Sequence, residues 1–271
     1  MSWELLGYAG AVLMGLVLGL LGGGGSILSV PILVYLFRLD PITATGLSLF
    51  IVGATSGAGI FSHHRQGNIQ WRTAAAFGAA SILSVYATRH WLVPALPDPL
   101  LHMGDVDVGK GEAILALFAM VMLISATSMI RGKKIAAPTE KGALHLPSLL
   151  LIGLLVGLLT GVLGAGGGFV IVPALVLLAG VDMKRAVGTS LLLITLNSFI
   201  GFLGDRHVRL ADHLPILLPF LVLALIGIVV GARLSTRISN EKLRPAFGWF
   251  VLAMGTYILL RELYQLNGPH S

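Results

Sequence analysis

Ten apolar stretches run along the chain, at residues 5–21, 26–37, 43–62, 73–93, 113–130, 147–163, 169–180, 186–204, 214–234 and 246–263. Eight of them reach the length a helix needs to cross a bilayer, roughly 17 to 25 residues. The other two, 26–37 and 169–180, are too short for a comfortable span. Each follows a glycine cluster, "GGGG" at 22–25 and "GAGGG" at 164–168. The pattern predicts an all-α polytopic membrane protein in which two helices are broken by glycine.

The breaks belong to an internal repeat. "GLVLGLLGGGGSILSVPILVYLFRLDPITATGLSL" (15–49) lies without a gap over "GLLTGVLGAGGGFVIVPALVLLAGVDMKRAVGTSL" (157–191), an offset of 142 residues with Gly15 against Gly157. The match includes Gly22/Gly164, Gly24/Gly166, Gly25/Gly167, Pro31/Pro173, Asp40/Asp182, Gly46/Gly188 and Ser48/Ser190. Low complexity generates glycine matches by chance, but not Pro, Asp and Ser at the same offset. The expected organisation is a first transmembrane repeat at 1–131, a basic cytoplasmic linker at 132–146 and a second repeat at 147–271.

Loop charge bears on how the halves are oriented. If each glycine-broken unit crosses the membrane once, the 18 Lys and Arg divide equally between the two sides. If each unit goes in and returns as a hairpin, twelve fall on one side, against Arg38, Arg89, Lys110, Arg206, Arg209 and Arg261 on the other. Cytoplasmic loops are enriched in Lys and Arg, which favours the second arrangement. Both termini and the acidic loop at 96–112 are then periplasmic. The halves become an inverted repeat, each with a broken short-helix hairpin and three transmembrane helices, a plan that many secondary transporters use.

Composition agrees with a membrane class. Of 271 residues, 56% are hydrophobic and 11% charged, against about 25% charged in soluble domains. Cysteine is absent, which excludes thiol catalysis, disulfides and thiolate metal sites. The net charge of +6 fits loop anchoring beside membrane lipid rather than a nucleic-acid partner. Met1-Ser2-Trp3-Glu4 lacks the cationic start of a cleavable signal peptide.

The breaks have a chemical use. Unpaired backbone groups in hydrocarbon cost several kcal/mol, so a broken helix persists only where protein or a cavity satisfies it. A new helix beginning near Ser26 or Phe169 presents amides without intrahelical partners and the positive end of its dipole. Such an end suits an anion, and glycine lets the anion approach the backbone. Gly22, Gly23, Gly24, Gly25 and Ser26, with Gly164, Ala165, Gly166, Gly167 and Gly168, are therefore candidate anion-binding residues around a shared central cavity. Thr45, Ser48, Thr189 and Ser190 add hydroxyls that could serve an oxyanion or bond their own backbone. Asn197, inside "LLLITLNSFIGF", is a further candidate.

Gly15-xxx-Gly19, Gly53-xxx-Gly57 and Gly153-xxx-Gly157-xxx-Gly161 read differently, as small-residue faces for close helix packing. Pro31 and Pro173 are expected to bend the short helices. His63, His64, Arg65, Arg206 and His207 end their helices, as interfacial charge or as gating and proton-coupling groups, since histidine titrates near neutral pH. No metal or cofactor is expected, and His63-His64 makes a poor metal pair because adjacent helical residues diverge.

At "GLLGGGGSILSVPIL", "GVLGAGGGFVIVPAL" and "AVGTSLLLITLNSFIGF" the sequence resembles the TauE/SafE family of sulfite and organosulfonate exporters. The resemblance covers nearly the whole chain, and Ser26 stands where the second copy has Gly168. It implies an inner-membrane carrier of sulfite, thiosulfate, sulfoacetate or other sulfonates, moving in either direction. Sulfur enters only through this resemblance; the residues themselves point to an anion at mid-membrane.

Two other classes compete. An intramembrane enzyme needs a nucleophile with its base, or paired acidic groups, inside the spans. No Asp, Glu or Lys lies deep within a predicted span, so no enzyme is expected. An anion channel, or a carrier of a non-sulfur organic anion, would share the helix-start chemistry and stays as the alternative. The oligomeric state is left open.

Overall fold

The computed structural model describes residues 2–103, 106–131 and 146–267. Helix α1 (Ser2–Leu21) leads into a 3-10 turn at Gly23–Gly25, helix α2 (Ser26–Pro31) and a π turn at Ile32–Leu36. Helix α3 (Pro41–Arg65) and helix α4 (Trp71–Ala87) follow, and α4 runs on through a π turn at Thr88–Leu92 into α5 (Val93–Ala95). After α6 (Lys110–Arg131) and α7 (Leu146–Leu163) comes α8 (Gly168–Pro173) with its π turn at Ala174–Leu178. Helices α9 (Met183–Gly204), α10 (Leu210–Ser235) and α11 (Asn240–Asn267) complete the fold. Six of the described helices are long and apolar enough to cross a membrane. The chain is a multi-pass membrane protein.

Every predicted apolar stretch is a helix. The acidic loop adds something the all-α expectation lacked, a short antiparallel pairing of β1 (Leu101–Met103) with β2 (Val106–Val108), Leu101 opposite Val108. The linker expected at 132–146 lies outside the described residues, except for Leu146, which opens α7.

The repeated residues do the same work in each half. Asp40 accepts a hydrogen bond from Thr43 N at 3.0 Å, and Asp182 accepts one from Arg185 N at 3.2 Å. Each carboxylate caps the start of its helix by occupying an amide that has no intrahelical partner. Pro31 and Pro173 each end a six-residue α segment that widens at once into a π turn. Proline has no N–H and crowds the preceding carbonyl, so the helix accommodates it by a wider turn. The chain then reverses at Arg38 (φ 56°) in the first half and Gly180 (φ 66°) in the second, again 142 positions apart.

Close backbone contacts give the helix directions. Gly15 and Gly19 press on α10 at Ala224 and Ile228, and Gly227 and Gly231 press back on Val12 and Leu16, so α1 and α10 run parallel. Gly153 and Gly157 meet α4 at Phe77 and Ser81, and Gly161 meets its continuation at Thr88, so α7 and α4 also run parallel. Gly53 and Gly57 meet Ser198 and Thr195, which makes α3 and α9 antiparallel. Gly248 and Gly255 place α11 antiparallel to α6, beside Ile130 and Met122. Gly15, Gly19, Gly153, Gly157 and Gly161 press on backbone, the packing role expected of them, whereas Gly53 and Gly57 meet only side chains. Without a Cβ, two backbones come close enough for dispersion to hold them in lipid.

The short segments return. Gly10 lies against Ile32 and Gly7 against Phe37, so residues 26–36 run back along α1. In the second half, α7 starts beside the beginning of α4, and the segment after α8 delivers the chain to α9, whose Gly188 lies on Asn68. Both units therefore begin and end at one face, α1 at the face of the 205–209 loop and α7 at the face of the 66–70 loop. Leu5, Leu151, Leu155, Leu218 and Ile226 cover the outside as exposed apolar residues, the surface that lipid takes.

Candidate functional site

The two breaks meet at the centre. Gly23 lies on the backbone of Gly168, and Gly168 on Gly23 and Ile194. Gly166 faces Val52, Ile194 and Ser198, so this loop sits half-way along α3 and α9. Gly22 and Gly164 lie toward opposite faces, against Val187 and Thr45, positions 142 apart. Gly164, Gly166 and Gly167 hold φ of 67°, 66° and 68°, the left-handed region where a side chain is strained. All ten candidate residues of the loops are buried. At Gly23 and Gly168 the two loops close directly on each other.

The hydroxyls singled out in the sequence are already engaged. Ser26 Oγ donates to Gly23 O at 2.7 Å, and Ser29 and Ser48 share a hydrogen bond at 2.6 Å. Thr45 Oγ1 donates to Ile42 O at 2.8 Å, Thr189 Oγ1 accepts from Gln70 N at 3.0 Å, and Ser190 Oγ donates to Val187 O at 2.8 Å. Asn197 differs. Its Oδ1 accepts from Ser81 Oγ at 2.9 Å, but its Nδ2 has no partner.

Two further buried hydroxyls are without partners, Ser56 Oγ and Ser198 Oγ. They were missed in the sequence, although they stand 142 positions apart in "TS" (55–56) and "NS" (197–198). Ser198 lies on Gly166 and Gly53. An unsatisfied buried polar group costs about 1–3 kcal/mol. Ser56, Asn197 and Ser198 thus leave donors open in the spans, Ser198 directly beside the second break and Asn197 on the same helix facing α4.

The charged candidates separate. His64, Arg65, Arg206 and His207 are exposed, two at each face, and Arg206 Nη2 lies 2.7 Å from His90 Nε2. His63, in the same last turn as His64 and Arg65, is buried: no side chain reaches its ring nitrogens, and it lines a crevice with Gln66, Asn68, Lys184 and Ser235.

Two charges near the ends of predicted spans turn inward, which the sequence reading did not anticipate. Glu262, at the end of a predicted span, is 2% exposed and accepts from Tyr35 OH at 2.7 Å, while Arg261 stacks 3.7 Å from the Tyr35 ring. Arg89, counted among the loop cations, is 1% exposed. Its Nε donates to Asp205 Oδ2 at 2.7 Å, its Nη2 to Thr45 Oγ1 at 2.9 Å and its Nη1 to Gly161 O at 3.3 Å. Asp205 Oδ1 in turn accepts from the backbone of His207 and Val208. The hydropathy of a helix end does not distinguish a side chain turned to the interior from one turned to water.

The family model described as "Sulfite exporter TauE/SafE" matches residues 8–258. The chain belongs to the TauE/SafE family. Among its relatives, a probable membrane transporter protein of Xylella fastidiosa is 32% identical over 260 residues, 94% of each chain. A probable membrane transporter protein of Bacillus subtilis is 28% identical over 229 residues, 84% of this chain and 87% of the relative. One of Methanocaldococcus jannaschii is 27% identical over 266 residues, 92% and 94%. No solved structure matches the chain. As a TauE/SafE member it shares the family over both repeats, the central breaks included.

Proposed function

We propose that this protein is a secondary transporter of a small sulfur-containing anion, sulfite, thiosulfate or an organosulfonate, across the bacterial inner membrane, with the anion held at the broken-helix starts. Ser56, Asn197 and Ser198 carry the proposal: their buried donors have no protein partner, and an oxyanion supplies the missing acceptor. The names of the relatives support a transporter, and the family description supports a sulfur oxyanion. The glycines of both breaks add amides that an anion can approach.

The halves, 1–131 and 147–271, form an inverted repeat in this reading. Support comes from α1 and α7 starting at opposite faces and from the pairing of α1 with α10, α7 with α4, α3 with α9 and α6 with α11. Both termini are then periplasmic. The contact between Gly23 and Gly168 favours a carrier over a channel, since a channel keeps a continuous path. His63 is the group proposed to carry a coupled proton, with His64, Arg65, Arg206 and His207 at the two mouths.

The test is flux into proteoliposomes of purified protein with sulfite, thiosulfate, sulfoacetate, sulfate, chloride and acetate, with and without an imposed pH gradient. Saturable flux of the sulfur anions is expected. Unitary currents would make the protein a channel, and flux confined to acetate or chloride would remove sulfur from the account.

A further inference from the structure

Arg89 and Asp205 lie between one mouth and the second break. Arg206 and His207 are exposed at the face, Asp205 lies just inside with its side chain 2% exposed, and the guanidinium of Arg89 is behind it. Arg89 then reaches Gly161 O in the last turn of α7, and Thr45, which packs on Gly164 at the start of the break. Arg89 and Thr45 belong to the first half, Gly161 and Asp205 to the second. An anion passing between the break and this face meets the one buried Arg or Lys among the described residues.

A buried ion pair is a weak stabiliser. Desolvation offsets most of its attraction, and apolar pairs of similar size often serve as well. Arg89 also keeps the planar fork that binds oxyanions bidentately, and three bonds occupy only part of its five N–H donors. At the corresponding end of the second half, α10 offers Ala232 against Gly19 where the π turn after α4 offers Thr88 against Gly161, and no buried Arg or Lys lies there among the described residues.

We infer that Arg89 is a substrate-recognition residue for the transported anion, with the Asp205 carboxylate as its internal surrogate: the anion displaces Asp205 from the guanidinium, and that exchange releases the contact between the halves at this face. The inference rests on the anion-carrier reading and adds to it the residue that supplies the positive charge. Asp205 and the substrate compete for one guanidinium, so the pair closes the face when no anion is bound.

The test is anion binding and flux in the purified full chain, with sulfite and thiosulfate as probes, for wild type, Arg89→Lys, Asp205→Asn and the double variant Arg89→Gln/Asp205→Asn. The double variant keeps a neutral hydrogen-bonding pair, and its melting temperature in detergent, compared with wild type, separates loss of binding from misfolding. Arg89→Lys is expected to raise Kd about tenfold and the double variant about 10- to 100-fold, the size of lost charge-assisted hydrogen bonds. Asp205→Asn removes the competitor and is expected to lower Kd, a result that a purely structural pair does not give. Wild-type affinity in the double variant, or a Kd in Asp205→Asn equal to or above wild type, overturns the role of Arg89 and leaves the carrier intact. A wild type that binds neither probe overturns both.

Discussion

Gly23→Ala is expected to abolish transport and to lower the melting temperature in detergent. A methyl group at Gly23 falls on the carbonyl, carbon and Cα of Gly168, backbone that cannot turn aside as a side chain can. The loops must separate, and they are anchored by α1, α7 and the crossing of α3 with α9. Overpacking of this kind costs about 1–3 kcal/mol or more. Gly168→Ala meets Gly23 and Ile194 and is expected to behave alike. Gly57→Ala is the control, because its nearest neighbour, Thr195 Cγ2, is 3.5 Å from the new Cβ, an ordinary contact. Melting curves and flux of the three variants side by side check this. If Gly23→Ala retained wild-type flux, the contact between the breaks would have no part in the cycle.

Asp205→Ala is expected to cost about 3–5 kcal/mol, the effect of leaving a buried charge unpaired. Arg89 would keep only Thr45 and Gly161 as partners, neither of them charged. Asp205 also holds the backbone of His207 and Val208, so the loop after α9 loosens as well. The double variant Arg89→Met/Asp205→Leu is expected to recover most of that stability and to remain without transport. Thermal unfolding of both proteins, read beside flux, separates a pair kept for folding from one kept for function: full transport by the apolar double variant would contradict the second.

The architecture was legible because lipid makes strict demands. Spans need length, and broken helices need residues that tolerate the break, so Gly22–Gly25, Gly164–Gly168, Pro31 and Pro173 stand out in a single sequence. Asp40 and Asp182 were visible as a repeat, and their capping explains why an acidic residue recurs there. The site was legible only in part. Asn197 was conspicuous as an amide in an apolar run, whereas Ser56 and Ser198 look like the many serines that bond their own helix. Carrying the offset of 142 beyond residue 191 would have paired them. Arg89 and Glu262 were hidden by position, since charge near a span end reads as interfacial whether it points out or in. The paired strands at 101–103 and 106–108 carried no signal beyond a few alternating residues.

The claim at the centre is that the open donors of Ser56, Asn197 and Ser198 are reserved for an anion. Thermal unfolding of wild type and of Ser56→Ala/Ser198→Ala, with and without saturating thiosulfate or sulfite, tests it most directly. Each alanine removes an unsatisfied buried hydroxyl, so the anion-free variant is expected to melt above the anion-free wild type, by the equivalent of about 1–3 kcal/mol per group. It is also expected to lose the stabilisation that the anion gives wild type. A variant that melts no higher without anion, yet keeps the full anion-dependent rise, would contradict the account.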